Sequence, residues 1–313
     1  MEPILEIENL SIHFTQYAKG MRRRELPVIR DLSLRILPGQ VVAVVGASGS
    51  GKSLLAHGIL DILPRNSHRE GRILYDGSEL TPKRAARLRG REIVLVPQGV
   101  TYLDPLMRVG SQVWGDDADP GAKQRARAAL ARYGLPPDTE NLYPFELSGG
   151  MARRVLIATA VTHAPRLIIA DEPTPGLDAT AAGRILGHFR ELAQGGAGVL
   201  LITHDLELAL TIADQVAVFY AGQTIEVAAA ADFARPETLR HPFTKALWRA
   251  MPEHGFQPLS GAQPYPGTLA AGCPFAGQCP DATPACRETD TLPLRPWRGG
   301  MVRCLHPQRE ETP

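Results

Sequence analysis

Eight consecutive residues, Gly46-Ala47-Ser48-Gly49-Ser50-Gly51-Lys52-Ser53, have the composition of a phosphate cradle. Glycines let a backbone wrap close around an anion, so that successive N–H groups and a helix N-terminus point at it. Lys52 then reaches the β- and γ-phosphates, and the Ser53 hydroxyl ligates Mg²⁺. Gly46, Ser48, Gly49, Ser50, Gly51, Lys52, Ser53 and Leu54 are the candidate nucleotide contacts. The loop has the flanks it requires: an apolar run, Val41 to Val45, before it and a plausible helix, Ser53 to Leu63, after it. A second apolar run, Leu167 to Ala170, ends on Asp171-Glu172. A carboxylate at the end of a buried strand suits Asp171 to hold Mg²⁺ directly or through water.

The elements that must position these groups are those of an α/β sheet. Val41 to Val45, Ile93 to Val96, Leu167 to Ala170 and Val199 to Ile202 are short Val/Ile/Leu runs expected to be buried strands, alternating with helical patterns. Ligands of such folds collect at the carboxyl ends of the strands. The first forty residues differ. Leu5 to Phe14 alternates apolar and polar, and Val28 to Leu37 does so more loosely, which predicts antiparallel strands joined by a loop over 15–27. Between about 99 and 165 the pattern becomes helical. Ala122 to Tyr133 has a helix-former composition, and Ser148 is placed to cap a helix running to Ala160. Arg153-Arg154 on that helix is expected to be a solvated face. Val216 to Tyr220 and Thr224 to Val227, around Gly222-Gln223, predict a hairpin.

Length and composition bound the rest. With 313 residues there is room for about two domains. Charge is balanced, 34 basic against 33 acidic residues, which argues against a nucleic-acid partner. No apolar run reaches membrane-spanning length, and the start carries acid where a signal peptide carries base, so a soluble cytoplasmic chain is expected. Eleven of the 27 prolines fall in the last 62 residues, which therefore cannot be mainly helix or central strand. All four cysteines lie there too, as Cys273-x5-Cys279-x6-Cys286-x17-Cys304. A boundary near Pro252 is expected, dividing 1–251 from 252–313.

Leu147-Ser148-Gly149-Gly150-Met151 lies between the phosphate loop and Asp171-Glu172, and this order and spacing resemble the ATP-binding cassette (ABC) family. The resemblance implies a P-loop NTPase cassette with a RecA-like core, an antiparallel β-subdomain and a helical subdomain over about 99–165. It implies ATP as ligand and Glu172 as the general base that polarises the attacking water. His204, after the strand Val199 to Ile202, matches the switch histidine that contacts the γ-phosphate and orients Glu172. Gln98 matches the glutamine that touches Mg²⁺ or water. Ser148, Gly149 and Gly150 would bind the phosphate of an opposing cassette, with Asp178 nearby. Adenine needs an aromatic platform; Phe14 has the family position and Tyr17 is the alternative. Relatives often carry a small hydroxyl or alanine pair where this chain reads Pro175-Gly176 before Leu177-Asp178, a departure that bears on whether the two ATP sites are equal.

The cysteine spacing, with His241 to Leu247 and Pro266 to Leu269, resembles the C-terminal extension of oligopeptide, dipeptide and nickel importer ATPases. In that branch such cysteines can hold a 4Fe–4S cluster; thiolate chemistry alone leaves zinc, or free or disulfide thiols, open. The resemblance implies the ATPase subunit of an importer of peptides or of nickel or a metal chelate. It would sit peripherally on the cytoplasmic face of the inner membrane, with a second ATPase subunit (often a paralogue), two permeases and an external binding protein. Tyr102 to Pro105 would be the permease contact. The alternative is the cassette of a non-transport complex such as a phosphonate-cleaving assembly.

Overall fold

A computed structural model describes residues 2–17, 23–47, 49–115, 121–259, 261, 263–264, 271–289 and 292–307. The chain divides into two compact units, Met1–Ile36, Val42–Leu80 and Thr203–Pro313 in one, Leu37–Val41 and Thr81–Ile202 in the other.

The first unit opens with β1 (Leu5–Tyr17) and β2 (Arg23–Ile36), then β3 (Val41–Gly46), α1 (Lys52–Leu60), β4 (Ser67–Tyr75) and β5 (Ser78–Glu79). Strands β2-β1-β4-β5 form an antiparallel sheet whose buried side carries Leu5, Ile7, Leu10, Ile12, Ile29, Leu32 and Ile73. The apolar spacing in β1 changes from two to three between Ile7 and Leu10, where the ladder to β2 shifts register and Asn9 takes a φ of 50°. Opposite this bulge, Gly71 (φ 87°) lies so close to the Asn9 carbonyl that a side chain has no room. Of the loop expected over 15–27, residues 15–17 and 23–27 are strand, the ladder continuing from His13↔Pro27 to Tyr17↔Arg23, and 18–22 lie outside the described residues. Polar residues there do not end the strands, because ladder bonding needs only backbone and Thr15 pairs its hydroxyl with Glu25 across the strands.

The second unit contains α2 (Pro82–Leu88), β6 (Ile93–Val96), α3 (Val109–Trp114), α4 (Ala122–Arg132), α5 (Gly149–Val161), β7 (Leu167–Asp171), α6 (Ala179–Gln194) and β8 (Gly198–Thr203). Strands β6, β7 and β8 are parallel neighbours in that order. Their near-continuous apolar composition matches burial on both faces. Helix α6 is capped by the Asp178 carboxylate, which accepts from Ala181 N–H at 2.8 Å, and buries Ala182, Ile185, Leu186, Phe189 and Ala193 along one stripe.

The chain returns to the first unit with α7 (Leu206–Leu210), the antiparallel hairpin β9 (Gln215–Tyr220) and β10 (Gln223–Ala229), α8 (Pro242–Arg249), α9 (Ala285–Glu288), β11 (Arg295–Trp297) and β12 (Gly300–Val302). Strand β9 runs parallel to β3, while β12 pairs β10 and β11 pairs β12. The proline-rich tail is thus hydrogen-bonded to β10. Buried charge fastens it further: Glu226 accepts from the Arg240 and His241 backbone, and Arg240 reaches the Trp297 and Arg298 carbonyls.

Candidate functional site

In the first unit the phosphate loop follows β3, whose six residues are all buried. Gly46 ends the strand against the Phe219 carbonyl of β9, where any Cβ would overlap that oxygen. Gly49 (φ 78°) and Gly51 (φ 96°) take left-handed turns, and Gly51 is the N-cap of α1. Lys52 is 6% exposed; its Nζ donates to the carbonyls of Gly46 at 2.7 Å and Ala47 at 2.9 Å, holding the ammonium over the start of the loop. Ser50 is fully buried, Ser53 and Leu54 are half-buried at the first turn of α1, and Ser48 lies outside the described residues. A helix start leaves N–H groups without intrahelical partners, and an anion satisfies them. His204 is exposed just beyond β8, before α7, whose cap Asp205 accepts from Leu208 N–H. Phe14 is half-buried on β1, between Leu26 of β2 and Ser67 of β4. The side chain of Tyr17 lies outside the described residues.

In the second unit β7 delivers Asp171 and Glu172, both buried. Glu172 has a φ of 47°, the left-handed region that costs a non-glycine residue about 1–2 kcal/mol. Two backbone contacts hold it there. Its N–H donates to Ile202 O at 2.8 Å, and its carbonyl accepts from Arg153 Nη1 at 3.1 Å. The same Nη1 donates to Pro97 O at 3.1 Å, immediately before the exposed Gln98. Arg153 is therefore not the solvated residue expected: it is 8% exposed and turned inward from α5. Burial lowers its pKa, while the charges of Asp171 and Glu172 act to raise it. Arg154 reaches back to Gly150 O and to the carbonyls of Tyr133 and Gly134. Ser148 caps α5, its Oγ accepting from Met151 N–H at 3.2 Å. Ser148 and Gly149 are exposed, and Gly150 faces Leu177 and Gly176, which immediately precede Asp178. Sequence reasoning missed Arg153 because no periodicity separates a buried arginine from a solvated one.

The tail of the first unit brings all four cysteines to one pocket, with His241, Asp281 and His306 among its walls. No disulfide joins them. Backbone N–H groups point at the sulfurs: those of Phe275 and Ala276 at Cys273, Asp281 at Cys279 and His306 at Cys304. Burial dominates nonetheless, raising the Cys273 thiol and pushing Cys279 up to about 11 and Cys304 to about 12. Gly272 (φ 95°) passes so close to the Cys286 carbonyl that no side chain fits, and Cys273 N–H bonds that carbonyl at 2.8 Å. His241 is fully buried with its pKa lowered to about 3 by desolvation, so the ring is neutral. Its Nδ1 accepts from Phe243 N–H, which places the proton on Nε2, a buried donor with no hydrogen-bond partner. In chemistry alone, four thiols with N–H groups aimed at sulfur are the donor types of a thiolate-held group. Among the described residues, no group of three or more His, Cys, Asp or Glu side chains is placed to hold a metal ion. Nor, among them, is any helix long and apolar enough to cross a membrane.

Residues 29–175 match the family described as ABC transporter, and 225–286 the one described as oligopeptide/dipeptide transporter, C-terminal region. The chain is 35% identical over 308 residues to the dipeptide transport ATP-binding protein DppD of Bacillus subtilis, covering 91% of this chain and 89% of that one. Identity to the oligopeptide transport ATP-binding protein OppD of Mycobacterium tuberculosis is 36%, over 91% of this chain and 49% of that protein. Among solved structures, the dimeric structure of MJ0796, a bacterial ABC transporter cassette, superposes with a TM-score of 0.63 at 26% identity, over 72% of this chain and 98% of that one. A post-hydrolysis state of the same cassette, bound to ADP and Pi, matches equally.

Proposed function

The chain belongs to the ABC transporter ATPases, in the branch serving oligopeptide and dipeptide import, and on that premise we propose how its residues divide the work. It is the ATP-hydrolysing subunit of a peptide importer. Lys52 and the N–H groups from Gly49 to Ser53 bind the phosphates. Ser53 and Asp171 hold Mg²⁺, joined by Gln98. Glu172 is the general base and His204 its orienting partner at the γ-phosphate. Phe14 stacks on adenine. Ser148, Gly149, Gly150 and Asp178 serve the nucleotide of a second ATPase subunit, and the exposure of Ser148 and Gly149 at a helix start supports that.

The observation that carries the reading is Lys52, a buried ammonium resting on two carbonyls of a loop that opens a helix. Buried cations need partners, and a phosphate is the stronger one. Coupling to transport is supported by the apolar side chains after Gln98. Tyr102 and Leu106 are exposed, Leu106 to 88%, a surface suited to two permeases of the cytoplasmic membrane. An external binding protein would deliver peptide to them. Cys273, Cys279, Cys286 and Cys304 would hold a 4Fe–4S cluster, which ties together a segment too small to order itself. Zinc is the other group those thiolates could take.

The test is the complex of this subunit with its partner ATPase and permeases in proteoliposomes. ATP hydrolysis should rise on adding peptide-loaded binding protein and vanish in the Lys52→Ala variant. Hydrolysis indifferent to binding protein and peptide would refute the importer reading.

A further inference from the structure

We infer that Arg153 is a positioning residue that locks the hydrolytic carboxylate and the start of the Gln98 loop onto the signature helix. The inference rests on Glu172 acting as base. Glu172 sits in a left-handed conformation that its own side chain disfavours, so its direction depends on what fixes the peptide on either side. The N–H side is tied to β8 through Ile202 O; the C=O side is tied to Arg153. Because one nitrogen, Nη1, serves both Glu172 O and Pro97 O, the two segments cannot shift independently of α5. Arg153 lies five residues from Ser148, about 7.5 Å along a continuous helix. A displacement of the helix start is therefore carried to both segments. The guanidinium also stands near the charges of Asp171 and Glu172.

The experiment uses the reconstituted complex carrying Arg153→Met or Arg153→Lys in this subunit. For Arg153→Met we expect kcat to fall 10- to 100-fold, with ATP affinity and KM within threefold of wild type. Arg153→Lys keeps a donor and should recover most of the rate. Wild-type kcat in Arg153→Met overturns the inference. So does a parallel loss of kcat, ATP affinity and thermal midpoint in both variants, with no rescue by lysine, which is the mark of a packing role alone. Failure of the base assignment is read separately: Glu172→Gln alone would then turn over at near the wild-type rate.

Discussion

Glu172→Gln isolates one chemical property. Glutamine keeps the length of the side chain, and the backbone that sets its direction is untouched. The N–H bond to Ile202 O and the carbonyl bond from Arg153 are both main-chain contacts that survive the substitution. The left-handed φ of 47° costs glutamine what it costs glutamate, so the conformational term cancels between variant and wild type. Phosphate binding is assigned to Lys52 and the loop around it, which the substitution leaves unchanged. What remains is the loss of basicity, worth roughly 10²- to 10⁴-fold in rate. That corresponds to about 2.7–5.4 kcal/mol of transition-state stabilisation. The assay is phosphate release by the assembled complex at saturating Mg-ATP, with nucleotide affinity and thermal midpoint measured on the same preparations. Affinity should stay within a few-fold and the midpoint should not fall. Turnover above a tenth of wild type would refute the assignment of Glu172 as base. A large loss of nucleotide affinity would refute the claim that the substitution acts on chemistry alone.

Three further outcomes are expected. Ser148→Arg should leave ATP affinity of its own subunit intact and abolish hydrolysis at the partner's phosphate loop; a large loss of affinity in cis would place the signature wrongly. Protein purified without oxygen should be brown, with about four irons and four sulfides per chain. Cys279→Ser or Cys286→Ser should bleach it and leave the tail protease-sensitive, whereas stoichiometric zinc with no iron, or four thiols freely alkylated in native protein, would remove the cluster. His188 bonds Tyr133 and has its pKa lowered to about 4, first by burial and then by the Arg132 charge. Unfolding therefore takes up a proton below pH 6.5. Stability should fall as pH drops from 6.5 toward 4, by at most about 1.4 kcal/mol per pH unit, and His188→Gln should flatten that slope in pH-dependent denaturation.

Most of the nucleotide half was legible in the chain, because its chemistry is local. A phosphate loop is consecutive residues whose backbone does the binding, so composition at Gly46 to Ser53 and the apolar run before it were enough. The same holds for Ser148, whose side chain caps the helix that starts beside it. At 15–17 and 23–27 the expected loop gave way to strand for a physical reason: strand pairing rests on backbone bonds between distant segments, which polar side chains do not report.

Residue types and spacing determined the phosphate loop, the α/β class and the oddity of a cysteine-bearing, proline-rich end, and the order of the motifs carried the resemblance to the ABC family. Tertiary structure decided three other matters. It turned Arg153 inward to bond Glu172 and Pro97, gathered four cysteines spread over 32 residues around one pocket with the unpaired Nε2 of His241, and hydrogen-bonded the tail to β10 through β12. Each depends on groups brought together by long-range packing, where a side chain's partner is set by the fold's closure and not by its neighbours along the chain.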